Sequence, residues 1–231
     1  MKVTLLTLAM MVLTAGAVLA GPRDGTHNED KRLEHATEVF SEIMNTPDKG
    51  IPSNLLDKAS CIAIVPGMSK GGLGIGGDYG KGVVMCRHED RTWSAPSFIT
   101  VGGGSFGLQI GFEKVDLVML IMNRHGMERL LSDKFTVGAD ASASAGPVGR
   151  TTSANTDATL DAEILTYSRS KGVFGGLTLE GAVVKQDHED NRDFYGPNVT
   201  AKEILMGRGV AVPQAAAPLI AALTRWSPEK Q

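Results

Sequence analysis

Five cations stand at the ends of glycine-rich stretches: Lys70, Lys81, Arg150, Arg169 and Lys171. Cationic side chains beside backbone N–H groups that no side chain covers make a site for an anion, since charge and amide dipoles act together. Arg169 and Lys171 lead the set. They open the most distinctive stretch, YSRSKGVFGGLTLEGA (residues 167–182), which is apolar but punctuated by Gly172, Gly175, Gly176 and Gly181. Gly67–Gly82 and Gly102–Gly111 share the habit. At a membrane, the anion such a cluster meets is a phospholipid headgroup. The plainer alternative is solvated charge flanking strands.

Covalent chemistry finds few handles. GGLGIGG lacks the third glycine of a dinucleotide fingerprint, with Tyr79 in its place, and no GK[ST] follows to cradle a nucleotide phosphate. Ser105 sits in GGSFG, a distant echo of a nucleophile elbow without a spaced base. His27, His35, His88, His125 and His188 are scattered without zinc spacing. Asp187, Glu189, Asn191 and Asp193 alternate oxygen ligands, yet the glycine of a calcium loop is missing. No catalytic residue, metal or cofactor is expected, and the chain reads as a non-enzyme.

Residues 1–20 carry Lys2, an apolar run and a small-residue end, Val18-Leu19-Ala20. This predicts a secretory signal peptide cut after Ala20, hence a periplasmic or secreted protein; a retained anchor is the rival. No later apolar run reaches spanning length. About 210 residues remain of the 231, enough for one domain spanning 29–231 after a loose start at 21–28. A net charge of −3 argues against nucleic acid as the main partner. Cys61 and Cys86, the two cysteines, predict one disulfide in an exported chain, worth roughly 3 kcal/mol for a loop of about 25 residues; two buried thiols are the alternative.

Leu33, Ala36, Val39, Phe40 and Ile43 repeat at helical spacing over 29–45. Ser53 is the expected N-cap of a short second helix, and Asn123 of another. Between residues 60 and 185 the pattern is strand-like: CIAIVP, KGGLGIGGDYG, GVVMCR, SFGLQIGF, DLVMLIM and the 167–182 block. In the second and fourth of these, glycine and small residues alternate with apolar ones. That leaves a nearly bare face for close packing or for a groove. Gln186–Asp193 reads as a charged connector, followed by helical signals at 200–206 and after Pro213. The order predicts an α+β fold: an antiparallel, curved or barrel-like β core with N-terminal and C-terminal helices.

Six stretches in succession resemble one family: Ala63-Ile64-Val65-Pro66, GGLGIGGDYGKG, Trp93-Ser94-Ala95-Pro96, GGSFGLQIG, AGPVGR at 145–150, and the 167–182 block. Together they look like the SYLF domain, the Ysc84-type actin- and lipid-binding domain family, over residues 32–206. The resemblance implies a non-enzymatic domain that binds anionic phospholipid. Eukaryotic members bind phosphoinositide-rich membranes, partly through a basic amphipathic N-terminal segment, and fungal members also bind and bundle actin. Here that segment is mixed in charge, with Glu34, Glu38 and Glu42 beside Lys31 and Arg32. Export would separate the chain from actin, so actin is not expected as a partner. The alternative function is a cell-envelope assembly protein acting through protein contacts, with self-association through the small-residue faces.

Overall fold

The computed structural model describes residues 27–46, 50–149, 162–170, 173–176 and 179–227. The expected signal peptide at 1–20, Arg150 and Lys171 lie outside them. The helices are α1 (His27–Asn45), α2 (Ser53–Lys58), α3 (Arg124–Leu130), α4 (His188–Tyr195), α5 (Ala201–Met206) and α6 (Ala217–Trp226). The strands are β1 (Cys61–Cys86), β2 (Ser97–Ile121), β3 (Lys134–Thr136), β4 (Ala143–Ala145), β5 (Ile164–Ser170), β6 (Val173–Gly176) and β7 (Val183–Gln186).

Three apparent strand runs between the cysteines are one strand. β1 pairs antiparallel with β2 from Cys61↔Ile121 to Val84↔Ser97. The two glycine-rich stretches are each other's partners in this ribbon, as in Gly72↔Gly111 and Gly77↔Gly104. A ribbon of 26 residues greatly exceeds an ordinary strand of about 5–6 and must bend. The register shifts between Val65 and Met68, where Pro66 has no N–H to donate. Gly67 there takes a left-handed backbone (φ 57°), and its N–H donates to Asp116 Oδ1 at 2.8 Å instead of to the ladder. A second shift falls between Leu73 and Ile75.

The bent ribbon brings the two halves of β1 together. Cys61 and Cys86 are joined by a disulfide, and the Arg87 N–H donates to the Ser60 carbonyl at 2.8 Å. A Cβ on Gly82 would stand 2.5 Å from the Ile64 carbonyl oxygen. Glycine is therefore required where the ribbon closes on itself, which favours close packing over an open groove at this point. β2 is the spine: its free edge takes β5 at one end (Ile121↔Ile164) and β7 at the other (Ile99↔Gln186). β3 extends the sheet beyond β7, and β6 joins β5. The short β4–β5 pair is parallel in an otherwise antiparallel, half-barrel sheet.

Both faces of the sheet are covered, which explains the unbroken apolar runs. Ile62, Ile64, Val118 and Leu120 point to one core, shared with Leu33, Phe40, Leu219 and Leu223 of α1 and α6. Cys61, Ala63, Val65, Leu117 and Met119 point to the other, with Leu130, Phe135 and Leu205. Each buried Leu or Ile contributes about 1.5–3 kcal/mol. The α+β expectation therefore holds, with a helical layer on each side of a curled sheet.

Three local readings need correction. Pro52, not Ser53, caps α2: its carbonyl accepts from Leu55 and Leu56 N–H, and no side-chain cap forms. The chain after Pro213 first makes a single 3-10 turn, and α6 starts at Ala217 with Pro218 in its first turn. Gln186–Asp193 is no connector. Residues 188–195 form α4, capped by Asp187, whose side chain accepts from Asp190 N–H. Asn123 does cap α3 as expected, through Gly126 N–H.

Candidate functional site

The cations singled out from sequence have carboxylate partners wherever they are described. Arg169 faces Asp116 across the β2–β5 pair, with Nη2 at 2.7 Å and Nε at 3.0 Å from Oδ2. Its Nη1 also bonds Glu42 of α1. Burial would lower the Arg169 pKa, but the bonds to Glu42 and Asp116 outweigh it and raise the value. The arginine thus ties α1 to the sheet. Lys70 lies 3.8 Å from Asp78 on the same strand.

Lys81 is more exposed than Arg169 or Lys70, yet its Nζ lies 2.9 Å from both Asp187 Oδ2 and Asp190 Oδ2. Arg32 of α1 reaches the same Asp190 oxygen at 2.6 Å. Of the alternating oxygens, Asp187 thus serves a lysine, while Asp190, outside that alternation, serves both the lysine and the arginine. Burial alone would raise the Asp190 pKa; hydrogen bonds from Lys81 and Arg32 outweigh it and hold the carboxyl below the usual range. Conversely, burial would lower Lys81, and its bonds to Asp187 and Asp190 raise it.

Two neighbouring hollows run along the seam between α1 and the bend of β1, sharing His35, Pro66 and Gly67. Lys31, Arg32, Tyr79 and Lys81 line one; Lys114 and Arg169 line the other together with Glu38, Glu42 and Asp116. The fold therefore brings Lys81 and Arg169 to one surface, while Lys70 lines neither hollow. Sequence reasoning missed Lys114 and weighed Lys31 only as part of a mixed helix. Both are exposed, and neither has a carboxylate partner among the described residues. Tyr79 is 56% exposed, a large ring facing water beside these charges. His35 spaced one turn from Lys31 was the available clue, since helical period puts them on one face.

Among the described residues, no helix is long and apolar enough to cross a membrane. No three His, Cys, Asp or Glu side chains there gather as a metal site.

The family model described as "Ysc84: Las17-binding protein actin regulator" matches residues 102–226. Protein YSC84 of Saccharomyces cerevisiae is 41% identical over 177 residues, covering 75% of this chain and 37% of that protein. LAS seventeen-binding protein 3 of the same yeast is 39% identical over 180 residues, 76% of this chain and 39% of that protein. Human SH3 domain-containing YSC84-like protein 1 is 35% identical over 183 residues, 78% of this chain and 53% of that protein. The chain thus spans between about a third and just over half of these relatives' lengths. One expectation is overturned: actin is not to be set aside, because the matching family is described as an actin regulator and protein partners are a known kind for it. The last three of the six stretches quoted from the sequence fall within the match over 102–226, and the chain belongs to the Ysc84 (SYLF domain) family.

Proposed function

We propose that the chain is a non-catalytic binding module whose α1–β1 seam meets anionic phospholipid headgroups. The observation that carries this reading is the seam itself: Lys31 and Lys114, without carboxylate partners among the described residues, flank the tethered Arg32, Lys81 and Arg169 beside the exposed Tyr79. Tethered arginines add little net charge, so these two lysines supply the attraction, each worth about 1 kcal/mol near an anionic surface. An aromatic ring among such charges suits the headgroup layer. Lys70, Arg150 and Lys171 extend the same basic character in this reading. The names of the relatives speak of binding and regulation, which supports a module without catalysis. The apolar leader at 1–20 and the Cys61–Cys86 bond support export to an oxidising compartment.

The test is flotation with vesicles of graded anionic content at low and high salt. Wild-type protein should float with anionic vesicles and lose binding as salt rises. The double variant Lys31→Glu/Lys114→Glu should bind several-fold more weakly with an unchanged unfolding midpoint. Undiminished flotation of that variant would remove the seam from the account.

A second reading, a protein-docking module of actin regulation, is favoured by the description of the matching family. Co-sedimentation with actin filaments, in the absence of lipid and without flotation on any vesicle, would decide for it.

A further inference from the structure

The opposite end of the ribbon carries a second basic surface that the seam does not use. A cleft of about 670 Å³ opens where the β1–β2 turn meets α2 and α3, lined by Lys58, Arg87, Arg91, Arg124, Arg208 and one carboxylate, Glu89. The arginines differ in how they are answered. Arg91 pairs with Asp57, Arg124 with Glu128 at 3.2 Å, and Arg208 with Asp90 at 2.8 Å. Arg87 has no carboxylate partner among the described residues. Its guanidinium lies 4.2 Å over the Trp93 ring, its Nη2 makes one long bond of 3.4 Å to the Leu56 carbonyl, and its Nε is buried without an acceptor among the described residues.

A half-buried cation beside a like charge, propped by a ring and with no carboxylate in contact among the described residues, is costly unless an anion completes it. We propose that this cleft binds a phosphate-type oxyanion, with Arg87 as the main ligand and Lys58 and Arg124 closing around it. Burial first, and the neighbouring Arg91 charge second, push the Arg87 pKa down to about 10, against the pull of Asp57, as expected where positive charge is in surplus. The backbone adds an independent sign. Arg91 is the one non-glycine residue with positive φ (68°) among those described, at a hairpin position where glycine is the usual choice. Its guanidinium reaches back to the Asp57 carbonyl at 3.1 Å, fixing the turn that forms one wall of the cleft. Strain of this sort is kept where the side chain has a task. Planar guanidinium groups suit phosphate oxygens, which they grip two at a time. Glu89 is exposed and free to turn outward as the anion enters.

The probe is inorganic pyrophosphate, titrated into the full-length protein and followed calorimetrically and by the amide NMR signals of residues 87–92. Saturable, salt-sensitive binding is expected. Arg87→Gln should weaken it about tenfold or more, the range of one charge-assisted bond, and the exposed Lys58→Gln by a few-fold. Lys185→Gln, on β7 and outside the lining of the cleft, should leave it unchanged. No saturable binding to wild-type protein, or equal binding in both cleft variants, would overturn the site. Should Arg87→Gln not fold, binding by Lys58→Gln alone decides the point. The source of the anion is read by flotation of the same variants with phosphomonoester-rich vesicles. Loss there together with loss of pyrophosphate identifies a lipid headgroup, whereas loss of pyrophosphate alone identifies a soluble phosphate compound. An oligoglutamate peptide that outcompetes pyrophosphate would overturn the phosphate assignment in favour of an acidic protein. The pyrophosphate titration does not depend on Lys31 or Lys114, and the flotation arm is run in the Lys31→Glu/Lys114→Glu background, so the cleft and the seam fail separately.

Discussion

Arg169 and Asp116 stand directly opposite each other in the β2–β5 ladder, and their side chains close a two-pronged ion pair with contacts of 2.7 and 3.0 Å. The same arginine also holds Glu42 of α1. Its first duty is therefore to fasten a helix to a sheet. Arg169→Gln leaves Glu42 and Asp116 without their shared cation, though Asp116 keeps the Gly67 N–H, and should cost about 1–2 kcal/mol, the scale of charged hydrogen bonds at a partly buried site. Arg169→Glu, which adds a third carboxylate, should cost more. Urea denaturation reads both as a lowered midpoint; an unchanged midpoint in both would show that the pair holds nothing. Vesicle binding by such variants must be read on protein shown to be folded.

Asn191 forms a pairing with Phe98 that imitates a strand. Its Oδ1 accepts from Phe98 N–H at 2.8 Å, and its Nδ2 donates to the Phe98 carbonyl at 3.1 Å. Ser97 Oγ adds bonds to Asn191 and to Gln186, whose Nε2 reaches the Leu130 carbonyl at 2.6 Å. All of this is buried. Asn191→Leu keeps the volume and strands the Phe98 N–H, while the Phe98 carbonyl keeps the Asp187 N–H at 2.9 Å, so a loss of about 1–3 kcal/mol is expected. Hydrogen exchange at Phe98 should accelerate in step. A loss within measurement error would mean the N-terminal part of β2 holds itself.

These two cases mark what a linear reading can and cannot reach. The period of Leu33, Ala36, Val39, Phe40 and Ile43 is a local signal, and α1 formed where it pointed. The runs CIAIV and DLVMLI were legible as buried strands because apolar residues fill both faces. Glycine density announced close approach, and Cys61 with Cys86 announced a closure between them. The pairing of one glycine stretch with the other was not visible, since register is a property of two segments. QDHEDNRD looked like solvated charge because its partners are distant: Lys81 and Arg32 lie 109 and 158 positions from Asp190. Arg169 looked like a free cation for the same reason. The cleft around Arg87 gathers residues from positions 58 to 208, with no motif to announce it.

Gly146 packs face-on against Tyr167 of the 167–182 block. A Cβ there would fall 2.0 Å from the ring's Cζ, and the ring stacks on Phe174 at 5.6 Å between centroids. Gly146→Ala should therefore destabilise by about 1–3 kcal/mol through overpacking. Tyr167 is fully buried and its hydroxyl has no partner among the described residues, so Tyr167→Phe should leave stability equal or raise it by up to about 1 kcal/mol. Thermal unfolding of both variants checks the pair of signs. A clear loss in Tyr167→Phe would show that the hydroxyl is satisfied after all.

The Asp190 cluster fixes how stability responds to acid. Its carboxyl titrates below the ordinary aspartate value of 3.8, because bonds from Lys81 and Arg32 overcome the opposing effect of burial. A depressed carboxylate contributes stability that is complete above the ordinary value and is lost as pH falls through the lower, folded one. Lys81 behaves in the mirror sense: its pKa is raised, so its share is complete below 10.5 and disappears as pH rises through the folded value. Between these limits the bond joining α1, β1 and α4 is at full strength. Asp190→Asn should therefore lower stability at neutral pH. It should also flatten the loss of stability as pH falls below the ordinary aspartate value of 3.8, because one proton-binding group is gone from that limb. Urea midpoints measured across pH for both proteins give the comparison. Parallel curves, displaced by a constant amount through the acid range, would show that Asp190 holds the helices by packing and not by its charge.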